Sequence, residues 1–88
     1  MDVQLAAADT RRLLHAKLRG TTITLHENPA RAEDGLGLGH YAWLLDQVAR
    51  AEVTGDKAHR WLGWAQCGLA VEKLVTLTEL KTVNAINS

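Results

Sequence analysis

Lys57-Ala-His-Arg-Trp-Leu-Gly-Trp-Ala-Gln-Cys-Gly-Leu-Ala-Val-Glu-Lys-Leu-Val75 decides how this 88-residue chain is read. It is one helix length long and holds two of the three tryptophans, the single cysteine and two glycines. Each glycine inside a helix costs about 1 kcal/mol relative to alanine, so Gly63 and Gly68 imply close approach of another group to the backbone. Ala58, Trp61, Leu62, Trp64, Ala65, Leu69, Ala70, Val71 and Leu74 leave this helix only a narrow polar strip. A helix apolar on most faces is covered from most directions.

Working outward, Thr54-Gly55-Asp56 separates this helix from a preceding one over about His40 to Val53. Asp56 is the expected N-cap of the later helix and Gly55 the stop of the earlier. A connection this short predicts an antiparallel helical hairpin. Tyr41, Leu44, Leu45, Val48 and Ala51 or Glu52 mark the buried stripe of the earlier helix, with Trp43 off its centre as a candidate subunit contact. On the other side, Thr76-Leu-Thr-Glu79 is a capping box, and Val75 with Leu80 stands at the two positions of a hydrophobic staple. That predicts a short last helix from Leu77 to Ile86, with Leu80, Val83 and Ile86 inward.

A first helix is expected from Val3 to about Arg19, with Asp2 as N-cap and Gly20 as stop. Between Thr21 and Gly39 the helical period disappears. Thr21 to His26 alternates like a strand but has no second strand to pair with, so it reads as an extended segment or as an edge pairing across a dimer. Asn28-Pro29 breaks regular structure, and Gly35-Leu-Gly-Leu-Gly39 reads as a mobile linker because it lacks the strand or the Gly-Lys-Ser/Thr ending of a phosphate loop. The expected fold is a single all-α domain over 1–88, with four helices built on a helical hairpin and an irregular segment at about 21–39.

Composition narrows the function classes. Ten basic and ten acidic residues cancel, which argues against a duplex nucleic-acid binder. A single cysteine forms no internal disulfide, and no apolar run approaches the ~20 residues that span a bilayer. A cytoplasmic protein without membrane contact is expected. Ser88 is the only serine, Cys67 sits in an apolar stretch that reads as a buried inert thiol, and His15, His26, His40 and His59 are scattered without ligand spacing. No enzyme, no cofactor and no metal site are expected.

Binding remains. Lys57, Arg60 and Trp64 fall on one face of the third helix with Trp61 beside them, and Gln66 adds an amide. Cations beside indole planes suit an acidic or phosphate-bearing partner, the tryptophan stacking on a base and the amide reading its edge. Arg60 in the first turn of a helix is unfavourable beside the positive dipole end, so it should find an acid. Asp56, Asp46 and Glu52 are the internal candidates. Gly63 and Cys67, four apart, form a small-residue surface for another helix. A homo-oligomer, with a dimer favoured, follows from this apolar helix in so short a chain.

Residues 57 to 84 resemble the C-terminal half of small tailed-phage and prophage proteins. These carry Lys-Ala-x-Arg-Trp-Leu-Gly-aromatic-x-Gln-Gly followed by Thr-x-Asp/Glu-Glu-Leu-Lys/Arg-x-x-Asn. Here Cys67 follows Gln66, and the glycine comes at 68. The resemblance implies phage origin and a non-enzymatic accessory role, binding a host or defence protein. Arg60-Trp61 also resembles the helical-hairpin phage proteins that trap cyclic nucleotide signals, which implies an alternative: an oligomeric nucleotide binder that sequesters a defence signal.

Overall fold

The computed structural model describes residues 1–23, 25, 27 and 37–88. Four helices follow in order: α1 Val3–Leu18, α2 Leu38–Ala49, α3 Gly55–Val71 and α4 Leu77–Ile86. No strand occurs among the described residues. The all-α expectation therefore holds. Thr24, His26 and residues 28–36, on which most of the expected irregular segment falls, lie outside the described residues. Leu25, within that segment, is half-buried against the core.

The two predicted N-caps with an acceptor in the right register form. Asp2 Oδ1 accepts from the Leu5 backbone N–H at 3.1 Å, and the Thr76–Glu79 box closes in both directions at 3.1 and 2.9 Å. Asp56 does not cap α3. Thr54 holds the cap position without a side-chain bond, and Asp56 lies in the first turn, where its charge still suits the helix dipole. Gly55, expected to stop α2, is instead the first residue of α3, with φ at +66°.

α2 begins at Leu38, inside the glycine run, and ends at Ala49, four residues before the expected Val53. Its terminus is a Schellman motif. Ala51 takes φ +59°, its N–H bonds to Val48 O at 3.1 Å, and the Glu52 N–H bonds to Gln47 O at 2.9 Å. α3 ends the same way, with Lys73 at φ +62° and the bonds Lys73 N–H to Ala70 O at 3.0 Å and Leu74 N–H to Leu69 O at 3.1 Å. Neither left-handed residue is glycine, which is why these stops escape a search for Gly. Ala51 and Glu52 consequently lie exposed beyond the stripe they were expected to extend.

All four helices feed one core. Ala6, Leu14 and Leu18 of α1 meet Tyr41, Leu44, Leu45 and Val48 of α2, with Ala58, Leu62, Ala65 and Leu69 of α3 and Val75 and Leu80 at the start of α4. Ile86, expected inward, is 72% exposed, while Leu80 and Val83 pack as predicted. The tightest approach is between α2 and α3. A Cβ placed on Gly68 would stand 2.2 Å from Cζ of the Tyr41 ring, far inside van der Waals contact, whereas one on Gly63 would meet nothing within 4 Å. Tyr41 is 2% exposed, so the phenyl face lies flat on the α3 backbone.

α4 is held to α1 by polar contacts as well as by the core. Lys17 Nζ lies 2.8 Å from Glu79 Oε2, and the Asp2 N–H donates to Asn87 O at 2.5 Å. The hydrogen bond from Lys17, then the backbone N–H of Thr76, hold the Glu79 carboxyl below its ordinary pKa.

Gly68→Ala should destabilise the chain by about 1–3 kcal/mol, the cost of overpacking at Tyr41. In dilute solution Gly63→Ala should be neutral or gain up to about 1 kcal/mol. Denaturant unfolding of the two variants checks the contrast. Because the Glu79 pKa is depressed in the folded chain, its contribution is complete above the unfolded carboxylate range and is lost as pH falls through the folded value. Glu79→Gln should therefore lower the melting temperature at neutral pH, with the gap to the parent chain closing on acidification below about pH 4.

Candidate functional site

α3 turns two different sectors toward the rest of the chain. Ala58, Leu62, Ala65 and Leu69 face the core, and Gly68 lies under Tyr41. At about 100° per residue, Arg60, Trp64, Cys67 and Val71 fall in one outer sector about 60° wide, with Gly63 at its edge. All five are exposed, Trp64 by 51% and Val71 by 72%. Cys67, expected to be a buried thiol, is an exposed one.

Lys57 and Trp61 flank that sector on the side of α2. The Lys57 ammonium stands 5.2 Å from the centre of the Trp61 ring, a cation–π contact. Trp61 tilts against Trp43 of α2 at 5.5 Å, and Trp43 stacks on His40 at 5.9 Å with the planes 19° apart. Lysine, two indoles and an imidazole thus form a continuous row across the α2–α3 seam. Trp43 is half-buried in this row, so packing within the chain accounts for it.

Arg60 makes no ion pair with any described residue. Of its three expected partners, Asp46 is taken by Arg50 at 3.3 Å, and Asp56 and Glu52 are exposed without an ion pair among the described residues. Among the described residues, none of the three expected carboxylates pairs with Arg60. Lys57 likewise has an indole face and no carboxylate among the described residues. Two cations and the half-exposed Trp64 share one surface.

Gln66 does not belong to it. It is 7% exposed and turned inward, about 120° around the helix from Arg60. Its amide N–H groups donate to Thr10 Oγ1 at 3.0 Å and Asn84 Oδ1 at 2.9 Å, and its carbonyl accepts from Asn84 Nδ2 at 3.1 Å. The Thr10 hydroxyl in turn donates to Ala6 O at 2.7 Å. Every polar atom of the cluster is satisfied, so Gln66 has nothing left with which to read a base edge. Asn87, 8% exposed, continues the polar seam by donating to Asp9 Oδ2 at 2.9 Å and Val83 O at 2.8 Å. The sequence offered one hint: Thr10 lies at i+4 from Ala6 and i−4 from Leu14, a polar residue in an otherwise apolar stripe.

Among the described residues, no group of three or more histidine, cysteine, aspartate or glutamate side chains is placed to hold a metal ion. No helix among them is long and apolar enough to cross a membrane. No protein family, curated protein or solved structure matches the chain.

Gln66→Ala should cost about 1–3 kcal/mol, because it strands buried Thr10 and half-buried Asn84. Arg60→Ala should leave the melting temperature of the dilute chain within a degree or two of the parent, since no described carboxylate loses a partner. Thermal unfolding of both variants by circular dichroism tests this separation.

Proposed function

We propose that this chain is a non-enzymatic binding protein whose contact surface is the outer sector of α3. The observation that carries the reading is the pairing of two cations, Lys57 and Arg60, that have no carboxylate among the described residues with the exposed apolar run Trp64, Cys67 and Val71. A surface of that composition asks for a partner offering acid at one end and aliphatic groups at the other. Trp and Arg near the centre of a patch are the side chains that most often dominate an interface. The resemblance of residues 57–84 to phage accessory proteins supports a host or defence protein as that partner, met in the host cytoplasm.

A second reading is favoured by one geometry. The Lys57 ammonium lies over the Trp61 ring, and the Arg60 guanidinium is one turn away, an arrangement in which a planar phosphate-bearing ligand displaces lysine from the indole and draws both cations to its phosphate. That ligand would be a nucleotide sequestered by the protein.

The two readings separate experimentally. Immobilised protein exposed to host extract should retain a defined protein that Lys57→Glu and Arg60→Ala lose at unchanged melting temperature. Titration with mononucleotides, cyclic mononucleotides and cyclic dinucleotides should leave tryptophan fluorescence unchanged under the protein-partner reading, and saturably quench it under the nucleotide reading. No retained protein that depends on these residues, together with no quenching, would sink both.

A further inference from the structure

We infer that α4 is an exchangeable arm: it leaves its own chain and packs, through the same contacts, on α1 and α3 of a second copy. The product is a domain-swapped dimer. α4 lies against the Gln66 flank of α3, away from the outer sector, so the exchange does not depend on the function proposed above.

The hinge runs from Glu72 to Thr76, between the end of α3 and the start of α4. Lys73 is held there at φ +62°, a conformation that residues with a side chain adopt at a cost. From Leu69 to Ser88 the sequence has neither glycine nor proline, and Glu72, Lys73 and Leu74 are good helix formers. Once Lys73 returns to an ordinary helical φ, α3 runs through the hinge into α4 as one continuous helix. Short connections under strain favour exchange, because the strain is released only when the arm swings out. The connection between α2 and α3 also holds a left-handed residue, Ala51, but it differs in two respects. Gly55, itself at φ +66°, opposes a continuous helix there, and Tyr41 on Gly68 locks the two helices together.

The seat of α4 suits re-formation in another copy. Within α4 only Leu80 is buried and Val83 half-buried, so little apolar surface resists its departure. Its remaining hold is directional. Lys17 Nζ lies 2.8 Å from Glu79 Oε2, the Gln66–Asn84 amides pair at 2.9 and 3.1 Å, and Asn87 Nδ2 donates to Asp9 Oδ2 at 2.9 Å. Each partner lies on α1 or α3, so α4 of a second copy meets the same groups in the same register. A vacated seat strands the buried amide of Gln66, which favours a helix carrying Asn84 over an apolar filler.

The exchange gives up the Thr76–Glu79 box, which exists only where α4 starts afresh, and takes Val75 from the core. In the continuous helix Val71, Leu74 and Val75 fall at i, i+3 and i+4, one apolar stripe where the two copies cross at the hinge. Val71, 72% exposed in the closed chain, becomes covered at that crossing.

Heavy-isotope and ordinary chains, unfolded together and refolded as a mixture at millimolar concentration, test the exchange. The expected products are a monomer and a dimer that separate by size and interconvert slowly on dilution, since α4 must first detach. A carbodiimide then condenses the Lys17 amine with the Glu79 carboxyl to an amide, taking up the water released. In the dimer fraction the Lys17–Glu79 linked peptides should include pairs with one heavy and one ordinary half, and in the monomer fraction none. Lys73→Gly, which removes the strain of the closed hinge, should lower the dimer fraction several-fold. Thr76→Ala, which removes a cap that only the closed form uses, should raise it. A chain that stays monomeric both as the parent and as Thr76→Ala would overturn the inference. So would a dimer whose Lys17–Glu79 links join only halves of the same label, because its α4 has stayed on its own chain.

Discussion

The flat seat of the Tyr41 ring on the backbone of Gly68 is the contact on which the rest of the architecture turns. With no phenylalanine in the chain, few side chains are large enough to fill the space between helices, and Tyr41 is the largest of those that are fully buried. A ring can lie that close to a helix only where a Cβ is missing. α2 and α3 are thereby drawn together along one line, and Leu45, Val48, Ala58, Leu62, Ala65 and Leu69 close around it. The roughly 1 kcal/mol that glycine costs inside the helix is offset by the burial of an aromatic side chain worth more than that.

A second constraint acts on the opposite flank of α3. The Gln66–Asn84 amide pair, with Thr10 beneath it, ties α3 to α4 and to α1 through directional bonds. Packing alone tolerates a helix rotated by some tens of degrees, because one aliphatic side chain replaces another at modest cost. A reciprocal amide pair does not, since a buried donor left without its acceptor costs about 1–3 kcal/mol. Tyr41 on one side and Gln66 on the other leave α3 a single rotation about its axis. That rotation turns Arg60, Gly63, Trp64, Cys67 and Val71 outward together.

The outward sector is thus a consequence of how the inward one is satisfied. A chain of this size cannot cover all sides of a helix that is apolar around most of its circumference. It spends its core on the sector that meets α1 and α2 and leaves the rest at the surface. Cations at one end of the exposed sector and the aliphatic Val71 at the other give that surface a polarity, and a contact surface with polarity selects its partners by charge as well as by area.

Much of this was legible in the residues. The 3.6-residue periods, Asp2 ahead of Val3 and the Thr76–Glu79 box determine helices locally, because each side chain bonds a backbone group within one turn of itself. The shared face of Lys57, Arg60 and Trp64 follows from helical spacing alone. The ends of α2 and α3 did not follow, since Ala51 and Lys73 adopt a conformation that their own preferences oppose and that the surrounding hydrogen bonds impose. Gln66 and Cys67 are adjacent in a stretch that is apolar on most sides, and nothing local says which one turns inward. The answer depends on Asn84 and Thr10, distant in sequence, being present at the same place. Gly63 and Gly68 looked alike in the sequence, and only the position of Tyr41 made one a packing site and the other part of an open face.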